Sequence, residues 1–139
     1  MLEIAKNQSY YNGTIMNKVF AKSYIEKMSA LLEKVPKPIE DKRHNLYVYF
    51  NNNRARSNET RYEHILSLRH KLLPSDIKRI QRYLGKSLFK KDKERKGTYN
   101  YYIKRNSYSS EYIKVSVQIE EKETTIAIVK TIYITNTIK

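Results

Sequence analysis

Two of the three histidines, His64 and His70, fall in the stretch Arg61-Tyr62-Glu63-His64-Ile65-Leu66-Ser67-Leu68-Arg69-His70, beside two arginines. An unperturbed imidazole titrates near pH ~6.5, so a histidine can take or give a proton under physiological conditions. Arg61 and Arg69 carry the forked donors that match a phosphate. RNA supplies its own nucleophile, the 2′-hydroxyl. Its cleavage needs a base for that proton, an acid for the leaving oxygen, and cations or hydrogen-bond donors for the crowded phosphorane. His, Lys, Arg, Tyr and Thr suffice, and the reaction requires no cofactor and no metal. DNA lacks that hydroxyl and usually needs a metal-held water. The sequence has neither the clustered Asp and Glu that hold magnesium nor a His-Glu-x-x-His pair for zinc.

Spacing sets a condition on the two histidines. Six residues along one continuous helix place side chains about 120° apart, so the rings converge only if the helix ends between them or near His70. Pro74 makes an early end plausible. The plainer roles are a hydrogen-bonded His64 at a helix-sheet boundary and a His70 at a helix end, favoured by the dipole. His44, beside Lys42 and Arg43, reads as surface. On the later segments Tyr102 and Lys104 share one strand face by two-residue alternation, as do Thr131, Tyr133 and Thr135. A lysine there could offset phosphate charge, and decoration of a stable sheet is the duller alternative.

Charge points to the same partner. The 139-residue chain holds 28 Lys and Arg against 14 Asp and Glu, a formal net charge of +14. Such a field attracts polyanions and speeds their encounter whatever the fold. There are 13 Tyr, 3 Phe and no Trp. Tyrosine suits strand surfaces and can stack on unpaired bases, so most should pack and a few should touch a ligand. With no cysteine, disulfides, thiol catalysis and cysteine-based zinc motifs are excluded. No apolar run approaches the roughly 20 residues that cross a bilayer, so a soluble protein without a membrane anchor is expected.

These residues need elements to hold them. The length suggests a single domain, with residues 1–16 as a loose arm. From Asn17 onward Val19, Phe20, Ile25, Met28, Leu31 and Leu32 recur at helical spacing, and Val35-Pro36-Lys37-Pro38 stops the helix. Leu46 to Phe50 reads as a short strand closed by Asn51-Asn52-Asn53. Asn58-Glu59-Thr60 offers caps for a helix carrying His64. Pro74-Ser75-Asp76 starts another, with Ile77, Ile80 and Leu84 on one face and Gly85 as terminator. The charges from Lys90 to Lys96 read as a solvated loop. Three strands follow, over 98–104, 112–120 and 124–135, with turns short enough for an antiparallel meander. The fold class is therefore α+β, N-terminal helices packed on a C-terminal antiparallel β-sheet. One sheet face should bury Ile113, Val115, Val117, Ile119, Ile126 and Ile128, leaving a polar face for substrate.

The ordered set of Arg-x-x-His-Ile-x-x-x-Arg-His, a helix ending near Gly85, a Lys-Asp-Lys segment leading into Tyr-Asn-Tyr-Tyr-Ile-Lys, and a last strand Val129-Lys130-Thr131-Ile132-Tyr133-Ile134-Thr135 is similar to a known group. It resembles the phage and polymorphic-toxin branches of the barnase, EndoU, colicin and RelE-like (BECR) nuclease superfamily, over residues 46–139. The resemblance implies a metal-independent endoribonuclease and toxin, blocked by an immunity protein or antitoxin. It also implies that His64, Thr131 and Tyr133 approach the substrate. The chain departs from the pattern in the Leu66-Ser67-Leu68 spacer before Arg69-His70, and in Lys130 and Ile132 around the strand threonine.

The expected site is then His64, His70, Tyr102, Lys104 and Thr131 for chemistry, with Arg61, Arg69 and Tyr133 binding substrate. Products would be a 2′,3′-cyclic phosphate and a 5′-hydroxyl. The expected partners are RNA, with tRNA among the candidate substrates, and an acidic immunity protein. The expected site of action is the cytoplasm, with secretion or delivery into a target cell as a toxin module as a candidate route. Two alternatives stay open: a non-catalytic nucleic-acid binder, including a phage inhibitor of a host nuclease, and an interaction module for an acidic protein.

Overall fold

The computed structural model describes residues 13–56, 59–67 and 70–139. Most of the expected loose arm, residues 1–12, lies outside them, as does Arg69. Helix α1 runs Gly13–Glu33 and ends where Val35 and Pro36 require. It therefore begins four residues before the expected Asn17. Its last turns bury Met28 and Leu32. Strands β1 (Ile39–Asp41) and β2 (Leu46–Tyr49) form a hairpin, and a small ribbon, β3 (Arg54–Arg56) and β4 (Glu59–Thr60), leads into α2 (Arg61–Ile65). Thr60 caps α2: its Oγ1 accepts from Glu63 N, and Glu63 Oε1 accepts from Thr60 N at 2.9 Å.

Helix α3 (Pro74–Tyr83) starts on its proline, and Asp76 Oδ2 accepts from Leu73 N at 2.8 Å. It passes into a 3₁₀ turn, Leu84–Lys86. Gly85 is not the left-handed cap that its position suggested. A Cβ there would sit 3.3 Å from the Glu40 carbonyl oxygen, so the glycine lets the turn approach β1 closely. The remaining strands are β5 (Leu88–Lys91), β6 (Thr98–Lys104), β7 (Tyr112–Ile119) and β8 (Ile126–Thr135). Six strands form one sheet in the order β1-β2-β8-β7-β6-β5.

The architecture is the expected α+β, with helices mostly N-terminal and the β6-β7-β8 meander antiparallel. Two details differ. β2 joins the sheet parallel to β8, pairing Tyr47 to Tyr49 with Ile126 to Ile128. Lys90 and Lys91 lie on edge strand β5 and not in a loop, a placement that charge crowding concealed.

Ile77, Ile80 and Leu84 pack with Met28 and Leu32 on the sheet face that carries Ile113, Val115 and Val117. Each aliphatic side chain removed from water there contributes about 1.5–3 kcal/mol. From β8, however, the core takes Ala127, Val129 and Ile132; Ile126 and Ile128 are only half-buried on the other face. No helix among the described residues is long and apolar enough to cross a membrane.

Candidate functional site

The change of phase along β8 builds the site. Val117 is paired with Val129, but the preceding Ser116 is paired with Thr131, so Lys130 is an extra residue and the strand carries a β-bulge. Strict alternation from Ala127 and Val129 would send Thr131 and Tyr133 into the core. The bulge shifts the period by one and turns both onto the polar face, with Ile132 inward.

Parallel pairing with β2 stops at Tyr49 and Ile128, so the next stretch of β8 has no strand on that side. Helix α2 takes the place. Arg61 Nη1 donates to the Lys130 carbonyl at 2.8 Å and its Nε donates to Asn53 Oδ1 at 3.0 Å. Tyr62, Ile65 and Leu66 are buried beneath. Burial, followed by the nearby Arg61 charge, pulls the Lys130 amine below its ordinary value. Arg61 is thus a buried clasp on the bulge.

Helix α2 ends at Ile65, which satisfies the condition that the histidine spacing imposed. His64 and His70 meet edge to face, ring centroids 5.9 Å apart. The His70 Nδ1–H donates to the Ile65 carbonyl at 2.7 Å, because a carbonyl can only accept. That bond fixes Nδ1 as a donor. The Tyr133 ring lies 6.0 Å from His70.

Cross-strand register supplies the facing floor as two polar rows. One is Tyr102–Lys114–Tyr133 and the other Asn100–Ser116–Thr131, each spanning β6, β7 and β8. Lys114 Nζ sits 5.8 Å from the Tyr102 ring centre and 5.2 Å from that of Tyr133. Burial alone would lower the Lys114 amine, but the Tyr133 hydroxyl, with Tyr102 and Asp92, outweighs it and holds the amine above its ordinary value. The lysine therefore stays charged. In the second row Ser116 Oγ donates to Asn100 Oδ1 at 2.7 Å, and Asn100 Nδ2 donates to Asp92 Oδ1 at 3.0 Å. That Asn100 bond, then the backbone amides of Arg95 and Glu94, keep the Asp92 carboxyl below its usual range.

These groups line one open groove of about 780 Å³. His64, His70, Tyr102, Thr131 and Tyr133 converge there from distant parts of the chain. Lys104 does not: it lies two residues beyond Tyr102, exposed, in a neighbouring depression. Lys114 stands where Lys104 was expected. Lys114 alternates with the buried Ile113 and Val115 along β7, but only the register with Tyr102 and Tyr133 singles it out. Asn100, Ser116 and Asp92 were also missed, Asp92 because its segment reads as a solvated charge run. His44 is half-exposed and far from solitary, with Nδ1 2.7 Å from Asp41 Oδ2.

Among the described residues no three His, Cys, Asp or Glu side chains cluster to hold a metal. No protein-family model, curated protein or solved structure matches the chain.

Proposed function

We propose that the chain is an endoribonuclease that cleaves RNA by 2′-hydroxyl transesterification without a metal. The observation that carries this reading is the meeting of two imidazoles with a charged lysine and the Tyr102, Tyr133 and Thr131 side chains in one groove. In this mechanism His64 takes the 2′-hydroxyl proton as that oxygen attacks phosphorus. The bond from phosphorus to the 5′-oxygen breaks, and His70, held through its Nδ1–H, gives that oxygen a proton from Nε2. Lys114 offsets the charge gathering on the phosphorane, while Tyr133 and Thr131 orient its oxygens. The products are a 2′,3′-cyclic phosphate and a 5′-hydroxyl. Membership of the barnase, EndoU, colicin and RelE-like superfamily belongs to the same proposal, as do a toxin role in the cytoplasm of the affected cell and an acidic immunity protein covering the groove.

The test is incubation of the purified protein with RNA in chelator, followed by mapping of the ends. Wild type should release 2′,3′-cyclic ends, and RNA with 2′-O-methyl at the cut site should resist. His64→Ala should lower the rate about 10²- to 10⁴-fold, the usual worth of a positioned acid or base. Intact RNA with wild type, or an unaffected His64→Ala, would end the proposal. A second reading, a non-catalytic nucleic-acid binder, draws on the same basic floor; there His64→Ala would leave every biological effect in place.

A further inference from the structure

The groove does not end at Tyr102. That residue also lines a second depression of about 340 Å³, whose other walls include Arg79, Tyr83, Lys86, Lys104 and Tyr112. No carboxylate lines it among the described residues. Arg79 is organised in advance. Its Nε donates to the Lys104 carbonyl at 2.7 Å, and its guanidinium carbon lies 4.5 Å over the Tyr83 ring. These contacts fix the plane of the guanidinium, and among the described residues no carboxylate pairs with its terminal nitrogens. Lys104 and Lys86 are exposed beside it.

The spacing suits a polymer. Lys114 stands directly opposite Tyr102, and Lys104 lies two residues further along β6, which puts the two lysines at diagonal positions on neighbouring strands about 7–8 Å apart. That distance is close to the separation of successive phosphates in an extended single strand. Tyr102 itself is 3 % exposed and so forms floor, whereas Tyr112 is only half-buried; Tyr83, also half-buried, carries Arg79 and, at 5.4 Å, Arg82 over its ring. Cations that follow the backbone, interleaved with accessible aromatic rings, are the usual means of holding unpaired nucleotides.

We infer that this depression is a second nucleotide subsite, continuous with the groove, and that the substrate is single-stranded RNA several nucleotides long. The inference rests on the ribonuclease reading of the groove. Its ligand is a phosphate with its neighbouring base, the phosphate held by Arg79 and Lys104 and the base against Tyr112.

The test uses the full chain carrying His64→Ala, with fluorescent 2′-O-methyl RNA as the probe, so that binding is read whether or not the protein cleaves. Adding Arg79→Ala with Lys104→Ala should weaken a decanucleotide roughly tenfold or more. It should flatten the slope of log affinity against log salt by about 1.4, two single-strand phosphate contacts. The preference for decanucleotide over dinucleotide should collapse. Because Arg79 also anchors a carbonyl, Lys104→Glu alone is the second variant and should show the same loss of preference with an unchanged melting temperature. Unchanged decanucleotide affinity and salt slope in both variants would overturn the inference. So would equally sensitive binding of poly-glutamate, which would assign the surface to an acidic protein. Failure of cleavage in the wild type leaves these binding outcomes readable, and success of cleavage does not presuppose them.

Discussion

Lys114 shows how narrow the difference between neighbouring cations can be. Lys104 and Lys114 are both strand lysines at the polar side of the sheet, yet only Lys114 lies between two tyrosine rings in the row that His70 overlooks. Half-buried beside Tyr133, its charge acts through less water than an exposed ammonium does, which strengthens its pull on a phosphorane. Lys114→Ala should therefore reduce kcat for RNA cleavage about 10²-fold, with Lys114→Arg recovering part of the loss. Lys104→Ala should act on KM for long substrates. Steady-state kinetics of the two variants decides the matter: equal, KM-only effects would remove Lys114 from the chemistry.

At the level of elements, the site depends on the junction of α2 with the bulge in β8. Arg61 is the pin, with one nitrogen on the Lys130 carbonyl and another on Asn53. Arg61→Ala should cost about 2–4 kcal/mol in a urea melt, since hydrogen bonds to a charged group contribute about 1.5–3 kcal/mol each and their loss strands buried acceptors. Cleavage should fall with it as His64 and Thr131 separate. Arg61→Lys should rescue little, because an ammonium lacks the fork that reaches both acceptors. A full rescue would show that charge alone matters there. The same junction explains what was legible in the sequence. The alternation of Ile113, Val115 and Val117 was read correctly because β7 keeps its phase throughout the core. Ile126 and Ile128 were read inward because one bulge separates Val129 from Ile132, and local alternation carries no mark of the residue at which a partner strand slips. The histidine pair was found by composition, and its convergence depended on a helix end after Ile65 that Pro74, further along the chain, signals only loosely. Lys114, Asn100 and Ser116 were hidden for a related reason: register across three strands is a long-range property. The charged segment at Asp92 concealed a different signal, a carboxylate that accepts from the Glu94 and Arg95 amides and turns the chain over the groove.

Across the whole molecule, a net charge of +14 sets a background repulsion that buried carboxylates relieve locally. Arg105 clasps Asp76 with two bonds, Nε to Oδ1 at 3.0 Å and Nη2 to Oδ2 at 2.9 Å, tying the β6-β7 end of the sheet to the start of α3. At the other edge Asp41 is fully buried and accepts from the Tyr101 hydroxyl at 2.6 Å, with His44 and Arg43 beside it. Burial would raise the Asp41 carboxyl, but the Tyr101 hydroxyl and then His44 and Arg43 prevail and hold it below its ordinary value. A carboxyl depressed in the folded state stabilises the protein fully above the unfolded value of ~3.9, and the contribution is lost as pH falls through the lower folded value. General repulsion grows over the same range as carboxylates protonate, so acid unfolding alone cannot separate the two. Salt can. Near 1 M the Debye length is about 3 Å, which screens the distant charges but barely touches a buried contact. In high salt, the urea midpoint of the wild type should still decline on acidification, whereas Asp41→Asn should start lower at neutral pH and decline less steeply. Parallel curves would mean that acid lability belongs to the net charge and that the buried Asp41 cluster has no part in it.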